Sequence, residues 1–379
     1  MSDKKPTIVF ATMCKNEEHC IQKTLESVYK SIDYWIVCDT GSTDRTCDIV
    51  RDFFKEKNIP GELFVDKWEG FDKNKCLMMA RAKDKADYIL HIDADDLLFG
   101  DIELPNDGAD AYYLLNRRGV SSFKTTILYS GKYTWRFCGV AHTIIKCVEK
   151  PNFIVTDLSN KDFYIRCDPV GSRAFDPKKY FYDAERLTKQ FFETLIDDPD
   201  GLNNRSAFYT AQSYFDSSMW KESMQWYRLY LRLRDTWIEE CFESHMRIAM
   251  CLMELNASAE QVRAEMQKAI NIFSDRSEPY YILGRYYNHN KMWNEGYSCL
   301  KECKLKSLDW VNSRYVLFVN EKAYGKYVND ELSVSCYWTG RYQEGLDLVN
   351  QIIDDPEFAD WKERLTANKN FLLQKIEEK

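Results

Sequence analysis

Tyr88-Ile89-Leu90-His91-Ile92-Asp93-Ala94-Asp95-Asp96 is the stretch that decides the fold. A short apolar run of strand length ends abruptly in three acids, so the acids lie on the turn leaving a buried strand. Two carboxylates at D-x-D spacing there can point into one crevice, where they repel each other. A cation is their natural partner, and hard oxygen ligands suit Mn2+ or Mg2+, which also bridges a diphosphate. On these residues alone, a solvated acidic turn that caps the next element fits as well.

Upstream, strand and helix alternate. Residues 7–13 (TIVFATM) form a strand-type run, and residues 16–31 carry Ile21, Leu25, Val28 and Ile32 at helical spacing. Residues 34–38 (YWIVC) read as a second strand. Residues 42–57 read as a helix with a Ser/Thr/Asp-rich start. Residues 61–65 and 72–82 give a third strand and helix, and residues 88–92 the fourth strand. This order implies a Rossmann-like, mostly parallel sheet covered by helices, with ligands bound beyond the carboxyl ends of its strands. Polar clusters stand at those ends, at residues 14–18, 39–44 and 93–96.

Each cluster offers chemistry beside a plainer role. Asp39, at the end of the second strand, can accept from a nucleobase or ribose, and the helix start behind Gly41 attracts anions. Capping by Ser42, Thr43 or Asp44 explains much of the same stretch. Glu17 and Glu18 suit a helix start or a ligand equally. A cation in WEGFDKNK (residues 68–75) can meet a phosphate or lie on the surface. Beyond the fourth strand, residues 111–115 and 125–129 read as strands, and residues 135–146 as a turn plus a strand. This region is expected to complete the sheet and cover the site.

From Pro177 the pattern is helical, and it repeats. FYTAQSYFDSSMWKES (residues 208–223) parallels YILGRYYNHNKMWNEG (281–296), and LSVSCYWTGRYQEG (332–345) is a third copy. Small residues recur on the first helix (Ala211, Gly284, Ser333) and again after the aromatic that opens the second (Ser223, Gly296, Gly345). Such positions let helices approach closely in tetratricopeptide-like stacking. The spacing predicts a degenerate unit between the first two copies and an insertion between the last two. The expected domains are residues 1–176, a linker helix over 177–203, and a repeat domain over 204–379.

The 379 residues carry a net charge of −8, and no basic face is visible, which argues against nucleic acid as a partner. The 13 cysteines follow no C-x-x-C spacing and several sit in apolar runs, the usage of a reducing compartment. Residues 1–6 are polar with no leader-like apolar core, and no stretch is long enough to span a bilayer. These features predict a cytoplasmic protein.

KNEE (residues 15–18), DTGSTDRT (39–46), W-x-x-F-x-x-N-K (68–75) and DADD (93–96), in this order and spacing, resemble the family 2 glycosyltransferases of GT-A fold. WRFCGVAH (135–142) resembles that family's W-x-x-x-G-V-x-H segment. DPVGSRAFDPKKYFYDAERL (168–187) resembles the linker of members with appended tetratricopeptide repeats. The resemblance implies a GT-A domain followed by an all-α repeat domain. It also implies inverting transfer of a hexosyl or N-acetylhexosaminyl group from a nucleotide-diphosphate donor, a UDP-sugar first. On this reading Asp93, Asp95 and His142 hold Mn2+ or Mg2+. Thr12, Cys14, Glu17, Asp39, Asp44, Asn74, Lys75, Asp93 and Arg173 surround the donor. The family often has Glu after its histidine, but here Thr143 follows, so the base falls to Asp168 or Asp96. Lys75 stands where the family usually has Arg, which keeps charge but loses bidentate phosphate recognition. Residues 204–379 are expected to recognise a protein or glycan acceptor or to build a homodimer. A catalytically inactive scaffold is the competing expectation.

Overall fold

The computed structural model describes residues 5–119, 121–159 and 162–378; residues 1–4 of the polar start lie outside the described residues. The chain divides into two compact units, Met1–Trp226 and Tyr227–Lys379. Residues 177–203 and the helix after them therefore belong with the sheet.

In the first unit, β1 (Ile8–Cys14), β2 (Tyr34–Asp39), β3 (Gly61–Val65) and β4 (Tyr88–His91) lie parallel in the order β3-β2-β1-β4. Their apolar side chains alternate between two cores. Ile8, Phe10 and Cys14 of β1 pack with α1 (Ile21–Val28) and α2 (Thr46–Lys57). Val9 and Ala11 pack with α3 (Phe71–Ala82) on the other face. Buried on both faces, β1, β2 and β4 read as continuous apolar runs.

After β5 (Leu97–Phe99) the sheet is no longer parallel throughout. β7 (Ser121–Ser130) pairs antiparallel with β4 and with β6 (Ala111–Arg118). A separate antiparallel ribbon joins β8 (Trp135–Cys138) to β9 (Ile144–Cys147). β10 (Val155–Asp157) and β11 (Tyr164–Arg166) run parallel to β6, and β11 is antiparallel to β5. The sheet is mostly parallel as expected, with antiparallel pairs added where β7 meets β4 and β6 and where β11 meets β5. The strand-type patterning of residues 111–129 located its added strands but not their direction.

Then α4 (Lys179–Glu193) and α5 (Asn203–Asp216) form a hairpin, followed by α6 (Trp220–Tyr230). In the second unit α7 (Ile238–Glu254) pairs with α8 (Ala259–Ile272), and α9 (Glu278–His289) with α10 (Trp293–Cys303). α11 (Leu308–Arg314) precedes α12 (Lys326–Trp338), which pairs with α13 (Tyr342–Asn350) and is followed by α14 (Lys362–Glu377). The α7–α8 pair is the degenerate unit read between the first two copies, and α11 with its flanks is the insertion. The small residues act as expected. A Cβ on Gly284 would stand 2.5 Å from Leu300, and one on Gly296 would stand 2.5 Å from Asn288. Trp293 of α10 and Trp338 of α12 stack at 5.1 Å and join successive pairs. All 13 cysteines are unpaired; Cys14, Cys38, Cys251, Cys303 and Cys336 are buried.

The insertion is anchored by Arg276, whose guanidinium is fully buried. Two of its N–H groups donate to Glu278 at 2.8 and 3.0 Å. Others donate to the carbonyls of Leu317 and Phe318. Glu278 also accepts from the Tyr324 hydroxyl and the Asn320 N–H. A buried charge stripped of its counter-charge costs about 3–5 kcal/mol. Glu278→Gln should therefore destabilise the helical unit by about that much. Urea denaturation followed by far-UV circular dichroism checks it; an unchanged midpoint would remove the ion pair from this role.

Candidate active site

The loops that leave β1 and β2 are sewn together. Asn16, in the left-handed region at φ 57°, accepts from the Thr43 N–H at 2.8 Å, and its own N–H donates to the Ser42 hydroxyl at 2.8 Å. The Glu17 N–H donates to the Thr46 hydroxyl. Glu18 accepts from the Arg45 N–H, while its own N–H donates to Asp44. These bonds satisfy the loop backbones without helix. Accordingly, α1 and α2 start at Ile21 and Thr46 rather than at 16 and 42.

Most donor-site candidates are absorbed by this bracing. Asp39 is 1% exposed, and its Oδ1 accepts from the N–H groups of Gly41 and Ser42 at 2.9 and 2.8 Å. It holds the β2–α2 turn, where Gly41 takes φ 100°. Asp44 accepts from the N–H and hydroxyl of Thr46. Asn74 is buried; it accepts from the Glu69 N–H and donates to the Lys67 carbonyl, fixing its own loop. Thr12 and Cys14 are buried. These residues shape the carboxyl end of the parallel strands.

The acids after β4 are brought together. Asp93, with 60% of its side chain accessible, meets the Lys75 ammonium at 3.3 Å, and that cation holds its carboxyl below the ordinary range. Burial, then the nearby Asp93 and Glu17 carboxylates, raise Asp95. Burial, with Asp93 and Asp95 next, pushes Asp96 up to about 8. His91 is buried with Nδ1 3.1 Å from the Ala11 carbonyl, so it is structural, as its strand position implied.

A strap over residues 168–175 crosses this crevice. The Gly171 N–H donates to Asp95 Oδ2 at 3.0 Å, and a Cβ at Gly171 would lie 2.4 Å from that oxygen. The N–H and hydroxyl of Ser172 donate to the Glu17 carboxylate. The Val170 carbonyl meets His19 Nε2 at 2.7 Å. Among the described residues, Glu17, His19 and Cys20 are a close group of metal-ligand type, within 4.8 Å of one another. The donors from Ser172 and from the Cys20 thiol already account for Glu17's oxygens. Asp168 pairs with Arg166 at 2.7 Å. Arg173 pairs with Asp183 and lies over the Phe71 ring.

His142 stands on the β8–β9 turn with φ 47°. Its ring stacks on Tyr209 at 4.1 Å, and its carbonyl accepts from Arg205 Nε at 2.6 Å. Desolvation of the ring, then Arg205, Arg173 and Arg118, lower its pKa, although the residue as a whole is exposed. Three guanidinium groups surround His142, and the structure does not bring it into a metal-ligand group with Asp93 and Asp95 among the described residues. Gly171, Ser172, Arg118, Arg205 and Tyr209 escaped sequence reading as site residues. The first two lay inside the quoted DPVGSRAF segment. Arg205 and Tyr209 sit on a helix that reads as repeat. Because α5 carries them, a fragment ending at 203 loses part of the His142 support.

A mixed α/β unit with acids at the carboxyl ends of its parallel strands, followed by stacked helical pairs, is the class this architecture defines. Residues 10–106 match the model described as Glycosyl transferase family 2, a span that takes in β1 to β4 and the acids at 93–96. Over that span the chain is similar to family 2 glycosyltransferases, and stacked helical pairs follow it. An uncharacterised glycosyltransferase of Rickettsia typhi is 25% identical over 208 residues, 53% of this chain and 65% of the relative. The match thus spans just under two thirds of that relative's length. Among solved structures, residues 1–349 of S. aureus TarS in complex with UDP are 14% identical, with TM-score 0.33 over 71% of this chain and 89% of that one. A tetratricopeptide repeat protein from Parabacteroides merdae is 14% identical, with TM-score 0.38 over 53% of this chain and 68% of that one. No helix among the described residues is long and apolar enough to cross a membrane.

The raised Asp96 gives a stability test. Between its ordinary value of 3.8 and about 8, the folded state keeps a proton that the unfolded chain releases. Stability from this group is therefore fullest in acid and lost as pH rises through about 8. In chelator-containing buffer, Asp96→Asn should gain stability over wild type progressively from about pH 4 to about pH 9. Denaturant melts across that range check it, and a pH-independent difference would refute the shift.

Proposed function

We propose that this protein transfers a sugar from a nucleotide-diphosphate donor, a UDP-sugar first, to an acceptor hydroxyl with inversion. The observation that carries the reading is the crowding of Asp93, Asp95 and Asp96 at the mouth of β4, inside the span matched by the family 2 model. Like-charged oxygens held together favour a divalent cation, and an all-oxygen pair suits Mn2+ or Mg2+. Asp93 and Asp95 would hold it. Bound there, it would neutralise charge on the departing diphosphate.

The chain's own groups do the rest. Lys75 on Asp93 is close enough to exchange that carboxylate for a phosphate oxygen. The loops braced by Asn16, Glu18, Asp39 and Asp44 form the nucleoside end, and Arg173 lies on the strap beside them. Of the two candidate bases, Asp168 is engaged by Arg166. Asp96 has a carboxylate form that takes a proton near neutral pH. The acceptor is proposed to be a protein or a glycan recognised through the repeats, which also offer a surface for a second copy. A hexosyl or N-acetylhexosaminyl donor and a cytoplasmic setting belong to the same reading. A catalytically inactive scaffold is favoured by one feature, the missing carboxylate at Thr143.

Asp95→Asn should abolish Mn2+-dependent UDP binding and slow UDP-sugar hydrolysis at least about a hundredfold, while melting near wild type. Calorimetry with UDP and Mn2+ reads the first, and a donor panel the second. Wild-type protein that binds UDP but turns over no donor would favour the scaffold. An Asp95→Asn variant with normal UDP binding would remove the acid crevice from the donor site.

A further inference from the structure

The β8–β9 turn is fixed to α4 and α5 by three contacts. Gln190 of α4 accepts from the Val140 N–H at 2.8 Å and donates to Ser206 of α5 at 2.7 Å. Asp200, between the helices, pairs with Arg136 of β8 and Lys146 of β9. Arg205 of α5 donates through Nε to the His142 carbonyl at 2.6 Å. On this platform Arg118, Arg173 and Arg205 gather around the His142 side chain.

Cations held together repel, and little in the chain offsets these. Arg173 shares one carboxylate, that of buried Asp183, with Arg186. Arg118 meets the Tyr180 hydroxyl at 3.3 Å, and Arg205 lies 4.5 Å from the centre of the Tyr209 ring. Among the described residues no carboxylate stands within ion-pair distance of Arg118 or Arg205. The guanidinium groups are nevertheless well placed to bind. Aromatic residues already restrain all three, Phe71 lying 5.1 Å from Arg173, so less entropy is lost when they grip a ligand. A guanidinium carries five N–H donors, and the bonds seen here use only Nη2 of Arg118, Nη2 of Arg173 and Nε of Arg205. Arg118 and Arg173 are exposed and Arg205 is half-buried, so an anion from solvent can reach the remaining donors.

Charge selects the anion. Four guanidinium groups face one carboxylate, and a second carboxylate from a ligand would leave most of the repulsion. A phosphate monoester brings about −1.5 to −2 at neutral pH and oxygens that match the guanidinium fork. We propose that the His142 turn is a phosphate subsite, where Arg118, Arg173 and Arg205 hold a phosphate group carried by the acceptor. The three arginines come from the end of β6, from the strap and from α5, and from none of the loops that leave β1, β2 and β4. That placement assigns the phosphate to the acceptor rather than to the donor's diphosphate. The acceptor assignment rests on the glycosyltransferase reading above, whereas phosphate binding itself does not.

The probe is inorganic phosphate, titrated by calorimetry into the full-length protein in chelator at constant ionic strength. Wild type should bind it saturably. Arg118→Gln and Arg205→Gln should each weaken it about tenfold, the loss expected for one charge-assisted contact. Arg51→Gln, which removes an exposed arginine of α2, should change nothing. If Arg205→Gln does not fold, Arg118→Gln, at the exposed end of β6, carries the test. Absence of saturable binding to wild type, or an equal effect of the Arg118 and Arg51 substitutions, overturns the subsite. In saturating UDP and Mg2+ the phosphate affinity should be unchanged. Displacement of phosphate by UDP overturns the acceptor assignment and gives the arginines to the donor. Wild type that binds phosphate but no UDP leaves the subsite standing and refutes the glycosyltransferase reading, and the acceptor assignment with it.

Discussion

Repulsion among the carboxylates that leave β4 is the constraint around which the first unit is organised. Asp93, Asp95 and Asp96 follow one another within a single turn, and each answers the repulsion differently. Asp93 takes Lys75 as a counter-charge. Asp95 takes a backbone N–H from Gly171. Asp96 tends to keep its proton. None of these would be needed on an ordinary surface turn, where water screens neighbouring acids. The strap, its glycine and the α3 lysine are intelligible together as the surroundings that let three acids share one crevice.

A second layer holds that crevice in register. The β1 and β2 loops exchange backbone bonds until almost every polar side chain in them is used. Glu17 then reaches from this knot to Ser172 on the strap. The N-terminal motifs are thus coupled to a segment more than 150 residues later in the chain. The polar residues at positions 16–18 and 39–46 give these loops their shape, while Lys75 with Asp93, Asp95 and Asp96 concentrates charge at the mouth of β4.

Much of this was legible in sequence. The four parallel strands, the acid turn after the fourth, the repeat copies, the degenerate pair and the insertion all follow from local periodicity and from small residues at helix contacts. Strand direction beyond β5 did not follow, because apolar alternation does not encode pairing. Helix starts were read early at 16 and 42, because capping-type residues there serve a neighbouring loop instead of their own helix. Asp39, Asp44 and Asn74 carry the right chemistry for a ligand, but only tertiary structure reveals that backbone donors already occupy them. Arg205 and Tyr209 have no local signal at all, since their partner lies more than 60 residues away.

The unpaired cysteines have a use that their burial creates. Cys14 and Cys38 lie at the heart of the sheet, whereas Cys251, Cys303 and Cys336 lie between helices of the second unit. A thiol reagent reaches a buried sulfur only when the surrounding element opens, so each alkylation rate is a local opening rate. Mass spectrometry of labelled peptides would then time the breathing of sheet and helices separately in one sample, without any probe added to the chain.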